Sequence, residues 1–417
     1  MSAAEGVPKW ILLEPVVFRR DDVESFPDTT EAPIRASGTT SWGAHFRIAF
    51  SLAEPPSISR LYAHLPGFPH PYEAEPLRLL ATHRYLALLR VGTTTPTEGA
   101  ARDFFIFKAE KNRPSSCLLT ALPPCTEPPL EFHSVRPRRR QPSDVTPRQL
   151  DPLSLGLWCG DEEEEEDEFV VAELALYVRT QGLRCLGAQA NICFLRSSFA
   201  GDQLGPHKWD TACLPLVSTT NEDLLKLFHW QTDAAVPFQR WLCWIDYHRG
   251  ILFWDVSKKV PALAVSFVWF PEDSYSLATY LKTPCSGNGG VSVVDNGRVL
   301  KFAYVARHDS LLAFEPLKPG TGFTITCHTL LLGNNNGSMK WEKDYTVTSD
   351  DLPDYLQRGG IPVFPRVDVD RPHLVHCIFS EFGKAYNRMS VLSIDMSTKS
   401  VESFYLYMDA NVFFQTD

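Results

Sequence analysis

The ten cysteines of this 417-residue chain (Cys117, Cys125, Cys159, Cys185, Cys193, Cys213, Cys243, Cys285, Cys327 and Cys377) include no CxxC pair. Scattered singly, they fit small buried hydrophobes in a reducing compartment, since a disulfide framework or a structural zinc site needs clustered ligands. Long apolar runs are also missing. The N-terminal stretch from Trp10 to Phe18 is broken by Glu14 and Pro15, too short and too polar for a secretory core, and nothing else reaches the roughly 18 to 20 apolar residues that span a bilayer. Basic excess is absent as well, with 40 Lys and Arg against 50 Asp and Glu, which leaves no broad positive face for phosphates. These absences point to a soluble protein of the cytoplasm or nucleus that engages neither membrane nor nucleic acid.

Catalytic signatures are missing too. No GxSxG, HExxH, P-loop or Rossmann glycine pattern occurs. The glycine-rich run from Ser286 to Gly290 leads into a strand and not a helix, so it lacks the helix N-terminus that holds phosphate. His373, His376 and Cys377 are the tightest His/Cys group, but they lie in a strand-like run that turns His373 and His376 to opposite sides. Asp368 and Asp370 alternate with Val367 and Val369, which reads as a half-exposed strand edge, short of the oxygens and the glycine turn of a calcium loop. No catalytic, metal or cofactor-binding residue is assigned, and no cofactor is expected.

What the chain does have is 44% hydrophobic residues, enough for a large core, arranged in short runs. WILLEPVVF, HFRIAFSLA, RLYAHL, YLALLRV, FFIFKA and CLLTALP read as strands, being rich in β-branched and aromatic residues and too closely spaced for helices. Residues 131–168 differ. They carry Arg136, Arg138 to Arg140, several prolines and the acidic run from Asp161 to Glu168, and a stretch so charged reads as a disordered linker open to proteases. Strands resume with FVVAELALYV. Thr219 with Glu222 forms a capping box ahead of Leu224, Leu225, Leu227 and Phe228, which predicts one short helix.

The densest signal is WLCWIDYHRGILFWDV, residues 241–256. Two apolar runs flank Tyr247 to Gly250, the pattern of a hairpin in which Asp246 bonds the turn and Gly250 supplies a positive φ. Its strands are apolar on both faces and belong between two layers. A second hairpin is marked by Asp295-Asn296-Gly297, where Asn-Gly predicts a type I′ turn. About twenty short antiparallel strands with one or two short helices make an all-β, propeller-like array, with a segment 1–130, the linker 131–168 and a segment 169–417 that closes one domain with the first.

The 241–256 segment, the FVWFP that follows Pro261, the preceding WQTDAAVPF and the later MKWEKDYTVTSDDL resemble the plant domain of unknown function 1618 family, with the motif region at about 241–377. PKWILLEPVVFRRDD, DFFIFKA and SCLLTALPPC are similar to the N-terminal half of its members. The resemblance implies a grass protein akin to the β-propeller regions of plant F-box proteins, here without a leading F-box motif, and it carries over no catalytic residue. Trp241, Trp244, Asp246, Tyr247, Arg249 and Gly250 are the motif residues, expected to be structural. The function expected is a non-catalytic protein-interaction scaffold with an unknown protein partner. The alternatives are an enzyme or carbohydrate-binding protein using a central propeller face, and an adaptor for protein degradation.

Overall fold

The computed structural model describes residues 8–22, 24–69, 75–95, 99–109, 117–127, 148–160, 167–181, 184–200, 203–205, 207–217, 224, 227–256, 264–271, 287–309, 317–318, 320–333, 339–357, 360–380 and 388–409. They fall into two compact units. The first takes in Met1–Ala53, Ser59–Ile245 and Leu252–Phe267, and the second Glu54–Ile58, Asp246–Ile251 and Val268–Asp417.

Strands dominate both. One sheet holds β1 (Leu12–Arg19), β2 (Ile34–Thr39), β3 (His45–Ser51) and β4 (Ile58–His64) in the order β1-β4-β3-β2. The next is a plain meander of β5 (Leu77–His83), β6 (Leu86–Thr95), β7 (Gly99–Lys108) and β8 (Leu118–Ala121). A nine-stranded sheet combines two meanders. In one, β9 (Leu155–Cys159), β10 (Asp167–Gln181), β11 (Arg184–Ala200) and β13 (Lys208–Val217) run side by side, with β12 (Gln203–Leu204) on β11. The other contains β14 (Ala234–Phe238), β15 (Trp241–Asp246), β16 (Gly250–Asp255) and β17 (Val265–Trp269). The two join where Leu216 and Val217 pair in parallel with Val265 and Ser266. Two further meanders follow, β18 (Gly289–Val294) to β19 (Val299–Arg307), β20 (Phe323–Leu332) and β21 (Met339–Thr348), then β22 (Pro362–Val367) to β23 (Leu374–Ser380), β24 (Arg388–Asp395) and β25 (Ser400–Asp409). The described residues are thus nearly all β, as the sequence suggested, in many short strands gathered into four-stranded antiparallel sheets and one larger sheet. The described residues hold 25 strands where the sequence suggested about twenty, with a 3-10 turn at Ser349–Asp351, a four-residue helix, α1 (Asp354–Gln357), and parts of a helix at Leu224 and Leu227.

Period-2 patterning explains the local choices. In β4, Ser59, Leu61 and Ala63 are buried and their neighbours are not, while every residue of β16 is buried. The first pattern suits a strand with one face on the core, and the second a strand enclosed on both. The first unit builds one core from Leu88, Ile106, Leu157, Phe169, Leu195 and Trp209, and another from Trp158, Val170, Ile192, Leu242, Trp244 and Trp254. In the second unit, Phe323, Ile325, Val375, Cys377, Leu392 and Ile394 form the centre. At the Asp295 hairpin, Asn296 and Gly297 have φ of 51° and 83° and the Arg298 N–H donates to the Asp295 carbonyl at 3.1 Å, the type I′ geometry that Asn-Gly favours.

The linker reading of 131–168 needs correcting where the structure describes it. Residues 148–160 are folded in, because β9 pairs with β10 and its five residues are all buried. The Arg148 guanidinium meets the Glu173 carboxylate at 2.6 Å, with both side chains buried. A short apolar stretch between charged ones found a partner strand, which charge density alone cannot reveal. At the other end, Asp167 and Glu168 already belong to β10, and Glu168 pairs with Arg196. The arginine cluster and Asp161 to Glu166 lie outside the described residues, as does most of the predicted Thr219 helix. Of that helix, Leu224 and Leu227 are helical and buried, and Phe228 is exposed. One consequence is that trypsin leaves the bond after Arg148 intact in the native protein. Peptide mapping of a timed digest checks this, with cleavage at Arg148 expected only after heating.

Candidate functional site

Two groups of polar residues stand out, the motif hairpin and a buried chain in the last sheet. In the hairpin, Asp246 organises the turn between β15 and β16. Its carboxylate accepts the His248 N–H at 3.0 Å and a guanidinium N–H of Arg249 at 2.7 Å, and its carbonyl accepts the Arg249 N–H at 2.9 Å. The Asp246 side chain is almost wholly enclosed, so the ion pair is a turn clamp and not a solvent-facing contact. Tyr247 stacks on Phe270 at 6.3 Å and Phe270 on Phe302 at 4.0 Å, and the Val291 N–H points to the Tyr247 hydroxyl at 3.4 Å. Trp244 is fully buried and donates from Nε1 to the Ser154 carbonyl at 2.8 Å. Trp241 is half-buried, stacked on Phe238 and covered by Arg240 at 4.8 Å. Asp246 and Arg249 meet in the turn, while Trp241, Trp244 and Tyr247 each pack against a different set of neighbours.

Gly250 corrects the expectation of a positive φ. It is absent from the residues with left-handed backbone and opens β16 in extended conformation. Glycine is needed for space instead: a Cβ there would lie 2.1 Å from the Val268 carbonyl oxygen. Because the obstacle is backbone, relief requires the strands to part. Gly250→Ala is expected to cost about 1–3 kcal/mol, seen as a lower urea midpoint with an unchanged m-value.

The second group went unassigned in the sequence. Asp368, His376, Ser393 and Ser403 form one hydrogen-bonded chain across the β22–β25 sheet. His376 on β23 stands opposite Ser393 on β24, which stands opposite Ser403 on β25. Ser403 donates to the Ser393 hydroxyl at 2.8 Å, Ser393 is 2.9 Å from His376 Nδ1, and Nε2 is 3.0 Å from the Asp368 carboxylate. Since the Ser393 proton must go to Nδ1, the ring carries its own proton on Nε2 and is neutral. The other Asp368 oxygen accepts the N–H groups of Asp370 and Arg371 at 2.9 and 2.8 Å. Asp368 is therefore not half-exposed, as its alternation suggested, but 2% exposed, because the chain turns back around its carboxylate just past the end of β22. The hints were an Asp before Asp-Arg-Pro and single polar residues inside the apolar runs LVHCIF and VLSID. The register that joins them is set by strand pairing.

Ser, His and Asp in hydrogen-bonded series invite comparison with a nucleophile, base and orienter. Ser393 is 1% exposed and its oxygen already takes the Ser403 proton, so a carbonyl substrate has no approach to it. The arrangement acts as a polar staple across three strands.

Burial pushes the His376 pKa below its ordinary value, outweighing the opposing pull of Asp368, with Arg371 lowering it further and Glu402 raising it. In the unfolded chain the ring protonates near 6.5. Between that value and the lower folded one the unfolded state binds more protons, so stability is lost as pH falls through 6.5. Wild-type protein is expected to lose more denaturation midpoint between pH 7.5 and 5.5 than His376→Gln, which has no proton to take up.

Among the described residues no three His, Cys, Asp or Glu side chains are grouped to hold a metal ion, and no helix is long and apolar enough to cross a membrane. No curated protein matches the chain. Residues 244–376, which run from Trp244 in β15 to His376 in β23, match the family described as Protein of unknown function (DUF1618), and this match supports that family.

Proposed function

We propose that the protein is a non-catalytic interaction scaffold of the cytoplasm or nucleus, whose partner is another protein and not nucleic acid or membrane. The observation that carries this reading is the outer edge of the last sheet. Among the described residues β25 is its terminal strand, so one row of backbone N–H and C=O groups is not engaged by that sheet. Phe404 stands opposite the core residue Leu392, and Leu406 follows two positions on, so both continue the core-facing side out to the rim. They are 37% and 51% exposed. An open edge with half-covered apolar side chains suits an extended apolar segment of a partner, which would add as a further strand. A plant source and kinship with F-box-associated propellers, which the sequence resemblance implies, agree with a binding role. In that setting the chain would present one protein to another, as an adaptor does.

Affinity purification with wild type and Leu406→Glu, the latter first shown to keep its melting temperature, tests the reading. A partner retained by wild type and lost by the variant supports it. Equal recovery of every partner by both proteins overturns the edge as the binding surface.

A further inference from the structure

We propose that Cys125 and Cys193 are a redox pair that closes into a disulfide when the protein meets a hydroperoxide. The inference is independent of the edge-strand reading. Cys193 lies in the middle of β11, opposite Glu173 on one side and Thr211 on the other. Cys125 lies beyond β8, far away in sequence, and the fold brings the two sulfur atoms to 3.5 Å of each other. A disulfide has an S–S length of about 2.05 Å, so closure needs an approach of roughly 1.5 Å. Both thiols are free.

The Cys125 side of the pair is held from several directions without belonging to a strand. The Trp209 indole N–H donates to the Pro123 carbonyl at 2.9 Å, and the Arg148 N–H donates to the Cys125 carbonyl at 2.7 Å. Arg148 in turn spans to Glu173 at 2.6 Å, and the Asp151 N–H reaches the other Glu173 oxygen at 2.6 Å. Cys125 can therefore shift toward Cys193 without breaking a ladder, because it belongs to no strand and its backbone is held through the Arg148 N–H. Both thiols are buried, so the oxidant must be as small as hydrogen peroxide, and Cys125, the member outside the strand ladder, is the one that meets it. The bond from Cys193 lowers its pKa against the opposing effect of burial, with help from a backbone N–H at Glu127 and from the Arg148 charge. That same bond, and then burial, push the Cys193 thiol up.

The step balances as follows. The Cys125 thiolate attacks one oxygen of hydrogen peroxide, taking OH to become a sulfenic acid and releasing hydroxide, which leaves as water. Cys193 then attacks the Cys125 sulfur as its own proton departs, the S–O bond breaks, and a second water leaves. In total two thiols and one peroxide give one disulfide and two waters. The product ties β11 to the position where Cys125 and Arg148 are hydrogen-bonded, which are the two ends between which residues 126–147 run.

Full-length reduced protein is treated with hydrogen peroxide, denatured, alkylated and mapped by mass spectrometry. The expected product is a Cys125–Cys193 peptide pair two hydrogens lighter than its separate thiols and cleaved by dithiothreitol. The melting temperature of the oxidised form should rise by about 3–6 °C, and Cys125→Ser should show no such rise. Cys213, which is exposed, reports that the oxidant dose was effective. If Cys213 is oxidised while Cys125 and Cys193 are both recovered as alkylated thiols, or if either is joined to a different cysteine, the proposal fails. Mapping of the wild type decides the matter even if the serine variant does not fold.

Discussion

Trp244→Ala is expected to lower stability by about 3–5 kcal/mol, enough to abolish soluble expression of a protein of ordinary stability. The indole is fully buried in the core formed with Val170, Ile192, Leu242 and Leu252, and its ring lies 6.2 Å from that of Trp254. Truncation would leave a cavity between the layers and take from the Ser154 carbonyl its shorter hydrogen bond, at 2.8 Å, leaving the Leu174 N–H at 3.4 Å. Both losses act together, since Ser154 immediately precedes β9 and helps to seat that strand. Trp241→Ala gives the comparison. That side chain is half-buried at the strand's start, and about 1–2 kcal/mol is expected. Urea denaturation followed by circular dichroism measures both. A Trp244→Ala protein that expresses solubly and unfolds at the wild-type midpoint would show that the residue is not part of the core, and would return it to consideration as a binding residue.

That prediction could be written from the sequence, and the reason is physical. In WLCWIDYHRGILFWDV both faces of each strand are apolar, and such a strand has one stable environment, between two layers. The turn was equally legible, because an Asp ahead of a tight turn has local backbone N–H groups to satisfy. Long-range pairing was not. β9 looked like part of a charged linker because its few apolar residues acquire meaning only when Val170 and Val171 lie beside them. Gly250 was assigned to the right hairpin for the wrong reason, since the Val268 carbonyl that excludes a side chain comes from another strand. The Cys125 and Cys193 thiols read as isolated hydrophobes for the same cause. Spacing along the chain says nothing about two residues that the fold brings together from 68 positions apart.

The Asp368 chain is the clearest case of information carried by register, and substituting its anchor separates a staple from a catalytic device. Asp368→Ala is expected to cost about 3–5 kcal/mol, because it leaves the buried Nε2–H of His376 without its acceptor and removes the charged acceptor that holds the N–H groups of Asp370 and Arg371 in the turn. Asp368→Asn should cost far less, about 1 kcal/mol. The amide oxygen can still receive both backbone N–H groups, while its NH2 faces a ring nitrogen that now must accept. His376 meets this demand by moving its proton to Nδ1, and the serine hydroxyls reverse in turn, so that Ser393 accepts from the ring and donates to Ser403. The whole chain reverses its protons with no heavy atom displaced. A catalytic assembly would behave in the opposite way, because the wrong tautomer of the base is ruinous there even when the geometry survives. Melting temperatures of the two variants, read beside labelling by a serine-directed fluorophosphonate probe, decide between them. A large loss for alanine, a small one for asparagine and no labelling of Ser393 in the native wild type are expected. Stoichiometric labelling of Ser393 that disappears in the asparagine variant would overturn the scaffold reading and make the protein a hydrolase.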